Sequence, residues 1–383
     1  MRVAIYAPYL AVSGGGEKYI GKIAEILSKK HDVDFVVLTR PDIEELQRSL
    51  HIDLSRIGVK CMRFPNILNS MPRLRSLVAH GPVSRISKEY DLFINQEHFS
   101  TIPNSSRWGI LICEIPVRKS TGLVQSLIRP VAKLVSDPCI RTYNKIVVNS
   151  QYTQRWMTKY YHRTVEVLYP PIDTEAFAPL PLSKENIILS VGRFFVGGHN
   201  KKQREMIRIF GEIQEHNEVL REWEYHLVGQ VDGDAKAQEY VKICKNEAKN
   251  YPVLFHLNAP FHVLQDLYRR AKIFWHATGL DEDETIHPER FEHFGMATVE
   301  AMSAGCVPVV INKGGQPEIV RNTIEGLLWN TSEQLKEYTL DLVENDNLMQ
   351  KMSQLSVRRS QEFNMKVFEG KVEQILVLET SQH

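Results

Sequence analysis

The sequence predicts an α/β protein built from two doubly wound parallel sheets. Three observations carry that reading. Short apolar runs recur without polar alternation, as strands covered on both faces do. Segments of helical spacing stand between them. A stretch with four prolines, YPPIDTEAFAPLPLS at 169–183, interrupts the series, which then begins again.

RVAIYAP (2–8) reads as the first buried strand. The glycine loop SGGG (13–16) follows, and EKYIGKIAEILSKKH (17–31) has helical spacing. DVDFVVLTR (32–40) is the next strand, giving a β-loop-α-β unit and favouring a parallel sheet. Further strands are expected at YDLFINQ (90–96), WGILICEI (108–115) and NKIVVNS (144–150), then a helix at QYTQRWMTKYY (151–161). Beyond the prolines, NIILSVGRF (186–194) opens the second series. A helix at 203–216, a strand at 223–230, a helix at 235–250 and a strand at 253–257 follow. LQDLYRRA (264–271), the strand KIFWHAT (272–278), a helix at 296–304 and the strand CVPVVI (306–311) continue it. The expected organisation is a unit at 1–168, a linker at 169–183, a second unit at 184–364 and a terminal helix at 365–383. In doubly wound sheets ligands bind beyond the carboxyl ends of the strands, so two such units suggest a cleft between them.

Composition narrows the classes. With 383 residues, 43% hydrophobic and 24% charged, the chain has the make-up of a globular protein large enough for two domains. A net charge of +1 gives no global field favouring nucleic acid. The five cysteines are scattered with no CxxC pair, which suggests neither a disulfide framework nor a zinc site and fits a reducing compartment. No signal peptide and no membrane-length apolar run is read, so a cytoplasmic location is expected.

The most informative stretch is HPERFEHFGMATVEAMSAGCVPVV at 287–310. Glu292 and Glu300 lie eight residues apart, around the expected start of a helix near Gly295. The first amides of a helix have no intrahelical acceptor, and the dipole there favours an anion such as phosphate. Glu300 shares a helix face with Ala297, Ala301 and Ala304, so its carboxylate needs a partner such as a sugar hydroxyl. Glu292 can reach the same ligand from the loop side.

In order along the chain stand GGGEKY (14–19), VVNSQYT (147–153), LYPPIDTEAF (168–177), SVGRF (190–194) and KKQ (201–203). Then come Glu292, Glu300-Ala-Met, Ala304-Gly305, Pro308-Val-Val, Gly314-Gly315 and Glu318-Ile-Val. This sequence resembles the retaining glycosyltransferases of family 4, with the GT-B fold, over nearly its whole length. The resemblance implies transfer of a sugar from a nucleoside diphosphate sugar, UDP- or GDP-linked, to an acceptor hydroxyl. The HFG between the two glutamates is similar to that of mannosyltransferases of lipid-linked oligosaccharide assembly. It implies Arg193 and the lysine before the following helix, Lys202 with Lys201 as the alternative, as a diphosphate clamp in place of a metal. Glu292 and His98 are implied at the transferred sugar, and Glu300 at the ribose. Gly14, Gly15, Gly16, Asn258, Phe294, Gly295, Met296 and Ala297 are implied around the donor. No cofactor and no metal are expected. The last helix, with an apolar stripe at Val367, Val372, Ile375 and Leu376, is implied to return to the N-terminal unit.

A phosphorylase would need a longer chain and a pyridoxal lysine, neither of which is read here. A nucleotide-sugar-binding subunit without catalysis is the alternative, against which the intact Glu292, Glu300, Arg193 and Lys202 speak. Two stretches, 63–85 and 117–135, mix Arg and Lys with Leu, Ile and Val and hold no acid. They suggest contact with an anionic membrane surface, on its inner face, and a lipid-linked or glycan acceptor.

Overall fold

The computed structural model describes residues 1–11, 14–62, 72–97, 102–116, 138–180, 184–231 and 233–377, with the backbone alone for 72–77 and 377. The chain divides into two units, one of Met1–Pro171 with the stretch from Phe368 onward, the other of Ile172–Val367.

In the first unit the described strands are β1 (Arg2–Tyr6), β2 (Asp32–Val37), β3 (Ile57–Cys61), β4 (Leu92–Asn95), β5 (Trp108–Cys113), β6 (Lys145–Val148) and β7 (Glu166–Val167). They form a sheet of order β3-β2-β1-β4-β5-β6-β7. Its ladders are parallel, with Ala4 opposite Asp34 on one side of β1 and Phe93 on the other. Between the strands lie α1 (Gly15–Ser28), α2 (Ile43–Leu50), α3 (Pro72–Ser87) and α4 (Gln151–Tyr161). Helix α1 starts two residues earlier than the sequence suggests, with Gly14 as its N-cap and Gly15 and Gly16 inside the first turn. The apolar residues of β1, β4 and β5 are covered on both faces, which explains their unbroken hydrophobic runs.

The second unit carries β8 (Glu185–Val191), β9 (Glu224–Gly229), β10 (Val253–Leu257), β11 (Ala271–His276), β12 (Val307–Ile311) and β13 (Leu327–Trp329), in the order β10-β9-β8-β11-β12-β13. Its helices are α5 (Gln203–His216), α6 (Ala235–Ala248), α7 (Phe261–Arg270), α8 (Met296–Ser303), α9 (Gln316–Ile319), α10 (Ser332–Glu344) and α11 (Asp346–Ser360). The chain winds outward from β8 to β10, returns to β11 beside β8, and winds the other way. The boundary of β8 and β11 is therefore the switch point of this sheet. Its core is aromatic: Trp275 packs against Phe210 and Tyr225.

The boundary between the units, Pro171/Ile172, falls inside the linker expected at 169–183, and part of that stretch is packed. Ile172 pairs with Asn364, and Phe177 is fully buried, edge-on to Tyr268 at 5.1 Å. Helix α12 (Met365–Val372) begins in the second unit and ends in the first. There Phe368 meets Tyr19, Lys145 Nζ donates to the Ile375 carbonyl, and Val372, Ile375 and Leu376 are buried. Val367, counted in the apolar stripe, is instead 44% exposed. Of the stretch 63–85, residues 72–85 belong to α3, while 63–71 and 117–137 lie outside the described residues.

Candidate active site

The sequence-predicted residues of the second unit gather at its switch point. His276 is the last residue of β11, Arg193 stands two residues past β8, and Lys201 and Lys202 precede α5. The segment carrying Glu292 leads into α8. Gly295 caps that helix with φ +115°, a backbone conformation that L side chains rarely adopt. A Cβ there would also stand 2.5 Å from Gln316 Nε2. No side chain caps this end, and its first two residues, Met296 and Ala297, are partly exposed, as a helix start that receives a ligand requires.

Glu292 is held by an ionic nest. Its Oε2 accepts from Lys201 Nζ at 2.6 Å and from His276 Nε2 at 2.9 Å. Burial alone would raise the carboxyl's pKa. Lys201, then His199 and His276, outweigh that and hold it well below the usual carboxylate range. His276 is buried and its own pKa is lowered by that burial, so it meets the carboxylate as a neutral donor. The backbone of Glu292 is fixed as well. Its carbonyl accepts from Gly315 N at 2.7 Å, and a Cβ on Gly314, φ +64°, would fall 2.3 Å from that oxygen. The Gly314-Gly315 pair is what lets the two segments meet.

Glu300 lies partly exposed on α8, where its Oε2 accepts from Tyr268 Oη at 3.1 Å. Lys202 sits in the left-handed region, φ 58°, and its Nζ donates not to Glu292 but to Glu282 at 3.1 Å, which Arg290 also binds at 3.0 Å. The acidic insert is thus tied to this lysine rather than being only a solvated loop. Phe294 points into the core, edge-on to Phe363, so its side chain is not a ligand contact. Asn258 uses its side-chain oxygen to accept from Val231 N at 2.9 Å, tying the segment after β10 to the one after β9.

Of the three histidines around Glu292, sequence reasoning notes His293 only as part of HFG and gives no role to His199 or His276. His199 and His293 stack with centroids 4.9 Å apart and planes at 3°. His276 could have been suspected from its place at the end of a strand in FWHAT. Gln203, noted in KKQ without a role, donates from Nε2 to the carbonyls of Gly192 and Arg193 at 3.2 Å each, fixing the β8 loop against α5.

In the first unit Gly14, Gly15 and Gly16 stand at the start of α1, while His98 lies outside the described residues. Beside Gly16 the structure places an unpredicted group. Glu114 Oε1 accepts from Gln96 Nε2 at 2.6 Å, and Gln96 also donates to the Gly16 carbonyl at 2.9 Å. Burial pushes the Glu114 carboxyl up to about 7, against the opposing hydrogen bond from Gln96. Among the described residues no three His, Cys, Asp or Glu side chains converge as a metal-binding group. None of their helices is long and apolar enough to cross a membrane.

Two family models together span most of the chain. Glycosyl transferases group 1 matches residues 172–357, and Glycosyltransferase Family 4 matches residues 13–176. The chain belongs to glycosyltransferase family 4. Among curated relatives, the GDP-Man:Man(3)GlcNAc(2)-PP-Dol alpha-1,2-mannosyltransferase of Caenorhabditis elegans is 30% identical over 219 residues, 52% of this chain and 43% of that protein. An alpha-1,3/1,6-mannosyltransferase, ALG2, of Rhizomucor pusillus is 24% identical over 62% of this chain and 60% of its own. The matches thus span less than two thirds of these relatives' lengths. Anabaena Alr3699/HepE, solved with UDP and glucose, superposes with a TM-score of 0.72 at 17% identity, over 99% of this chain and 100% of that one. A glycosyltransferase from Rickettsia africae gives 0.70 at 15% identity, over 98% and 99%. The two structural likenesses show the fold, GT-B.

Proposed function

We propose that this protein transfers a hexose, with retention of anomeric configuration, from a nucleoside diphosphate sugar to a hydroxyl of a lipid-linked glycan. GDP-mannose is the first donor to test, because it is named for the C. elegans relative. The observation that carries the reading is the Lys201–Glu292 pair at 2.6 Å, at the switch point and beside the uncapped amides of α8.

In this reading the diphosphate lies between Arg193, Lys201 and the amides of Met296 and Ala297. Lys201 is preferred to Lys202 because its ammonium stands on Glu292 beside the start of α8, whereas that of Lys202 is turned to Glu282 in the acidic insert. Glu300 holds the ribose and Glu292 the hydroxyls of the transferred sugar. As the bond from C1 to the phosphate oxygen breaks, the acceptor oxygen bonds to C1 from the same face and its proton passes to the departing phosphate. The cations stabilise the growing charge on that phosphate, the role a metal plays elsewhere. The basic stretches at 63–85 and 117–135 would rest on an anionic membrane, with the protein peripheral on the cytoplasmic side.

Incubating the protein with GDP-mannose, UDP-glucose and UDP-N-acetylglucosamine, with a lipid-pyrophosphate glycan, tests the reading. Nucleoside diphosphate should be released only with both substrates, in the presence of EDTA, and the product should keep the donor's anomeric configuration. No release with any donor overturns it; inversion overturns the retaining step; loss in EDTA restored by Mg²⁺ overturns the clamp.

A further inference from the structure

The Glu292 nest leaves one oxygen unused. Both hydrogen bonds to the carboxylate, from Lys201 and His276, end on Oε2. The other oxygen, Oε1, faces His199 Nε2 at 3.7 Å, too far for a hydrogen bond. That nitrogen is sealed from solvent and has no hydrogen-bond partner. A sealed donor left unmade is costly, so an arrangement that keeps it needs an occupant.

The surroundings hold His199 there. Its ring lies flat on His293, which is itself buried, with Nε2 3.2 Å from the Glu289 carbonyl. Asn200, next in the chain, donates to the Phe195 carbonyl at 2.7 Å and closes the loop that carries His199. Burial and the neighbouring Lys201 keep the imidazole neutral. Facing an ionised carboxylate, its Nε2 is best used as an N–H donor.

We infer that His199 and Glu292 Oε1 form a two-sided notch for one hydroxyl of the transferred sugar. The hydroxyl would donate to Oε1 and accept from His199 Nε2 once the imidazole, whose side chain is 31% exposed, shifts on His293 to open that nitrogen. Partners at ordinary hydrogen-bond lengths can flank one oxygen while standing 3.7 Å from each other. A group that only accepts or only donates cannot satisfy both sides. His199 is therefore a specificity residue for the donor sugar, and this rests on the reading of the site given above.

Calorimetry on the full chain separates the two levels. GDP-mannose and GDP are titrated into the wild type, His199→Ala and His199→Gln, whose amide reaches the place of Nε2. His199→Ala should weaken GDP-mannose by about tenfold, the size of one lost hydrogen bond, and leave GDP unchanged. His199→Gln should recover most of the loss. If the wild type prefers UDP-glucose, the same comparison is made with UDP-glucose and UDP. Equal weakening of nucleotide sugar and nucleotide, or none of either, overturns the notch and leaves the transferase reading standing. A wild type that binds none of these overturns that reading, and the notch with it.

Discussion

Glu114 and Glu292 are both carboxyls withdrawn from water near the carboxyl ends of parallel strands, yet their surroundings push them in opposite directions. Glu292 has an ammonium at 2.6 Å and an imidazole at 2.9 Å, and stays ionised far below its usual range. Glu114 accepts from the neutral amide of Gln96, feels the like charge of Glu17, and is pushed up to about 7. The same residue type is thus a fixed anion in one unit and a group poised between states in the other. Desolvation is common to both, and what decides is whether a full cation stands within hydrogen-bond reach. A fixed anion suits a site that must orient hydroxyls and hold a lysine in place; a near-neutral carboxyl suits a packing contact against the Gly16 backbone.

The comparison breaks most visibly if Lys201 is removed. Lys201→Met strands a buried anion, and losses on the order of 3–5 kcal/mol are typical when one member of a buried pair is deleted. Lys202→Met should cost far less, because Arg290 remains on Glu282 at 3.0 Å. Chemical denaturation of both variants checks this. The double variant Lys201→Met with Glu292→Gln should recover part of the loss, since no uncompensated charge remains. Equal stability of the two lysine variants would mean that the ionic nest does not hold Glu292.

Glu114 predicts a pH dependence of opposite sign to that of Glu292. Its folded-state pKa lies above its unfolded value of 4.5, so the folded protein binds the extra proton. Its contribution is fully present below the unfolded value and is lost as pH rises through about 7. The loss is on the order of 3 kcal/mol, at about 1.36 kcal/mol per unit. Glu114→Gln should remove that slope and be more stable than wild type at pH 8. A melting temperature whose pH profile is unchanged by Glu114→Gln would remove the contrast between the two units.

The elements that the sequence reveals are those with strong periodicity. Strands such as β4 and β12, buried along their whole length, stand out as apolar runs, and α4 and α5 stand out by their spacing. The strands passed over are edge or near-edge pieces. β3 has only intermediate and exposed residues, and β7 and β13 have two and three residues, so neither offers a pattern to read. In the site, Glu292, Glu300 and Gly295 are legible because their spacing around a helix start is local. His199, His276 and Tyr268 are brought there only by the sheet, from loops and strands far apart in the chain. The partners of Lys201 and Lys202 are not legible: Lys202 stands in the left-handed region just before its helix, and the two ammonium groups go to different carboxylates, Glu292 and Glu282.

Tyr268 offers the smallest and sharpest variation. Glu300 is the second glutamate of the site; where Glu292 accepts from an ammonium, Glu300 accepts from a hydroxyl, Tyr268 Oη at 3.1 Å, which also lies 3.3 Å from the Ala297 carbonyl. The ring itself is locked by Phe177, so Tyr268→Phe keeps the packing and removes only the hydroxyl. About 1 kcal/mol of stability should be lost. If Glu300 holds the ribose, loosening it should also weaken nucleoside diphosphate binding, by about threefold, a fraction of what one hydrogen bond contributes. Stability should then fall without any change in the pH profile, since Tyr268, its pKa raised by burial and by Glu300, stays neutral throughout the working range. Calorimetric titration with GDP and UDP measures the binding. Unchanged affinity alongside the expected stability loss would confine Tyr268 to the core and leave the orientation of Glu300 to the helix that carries it.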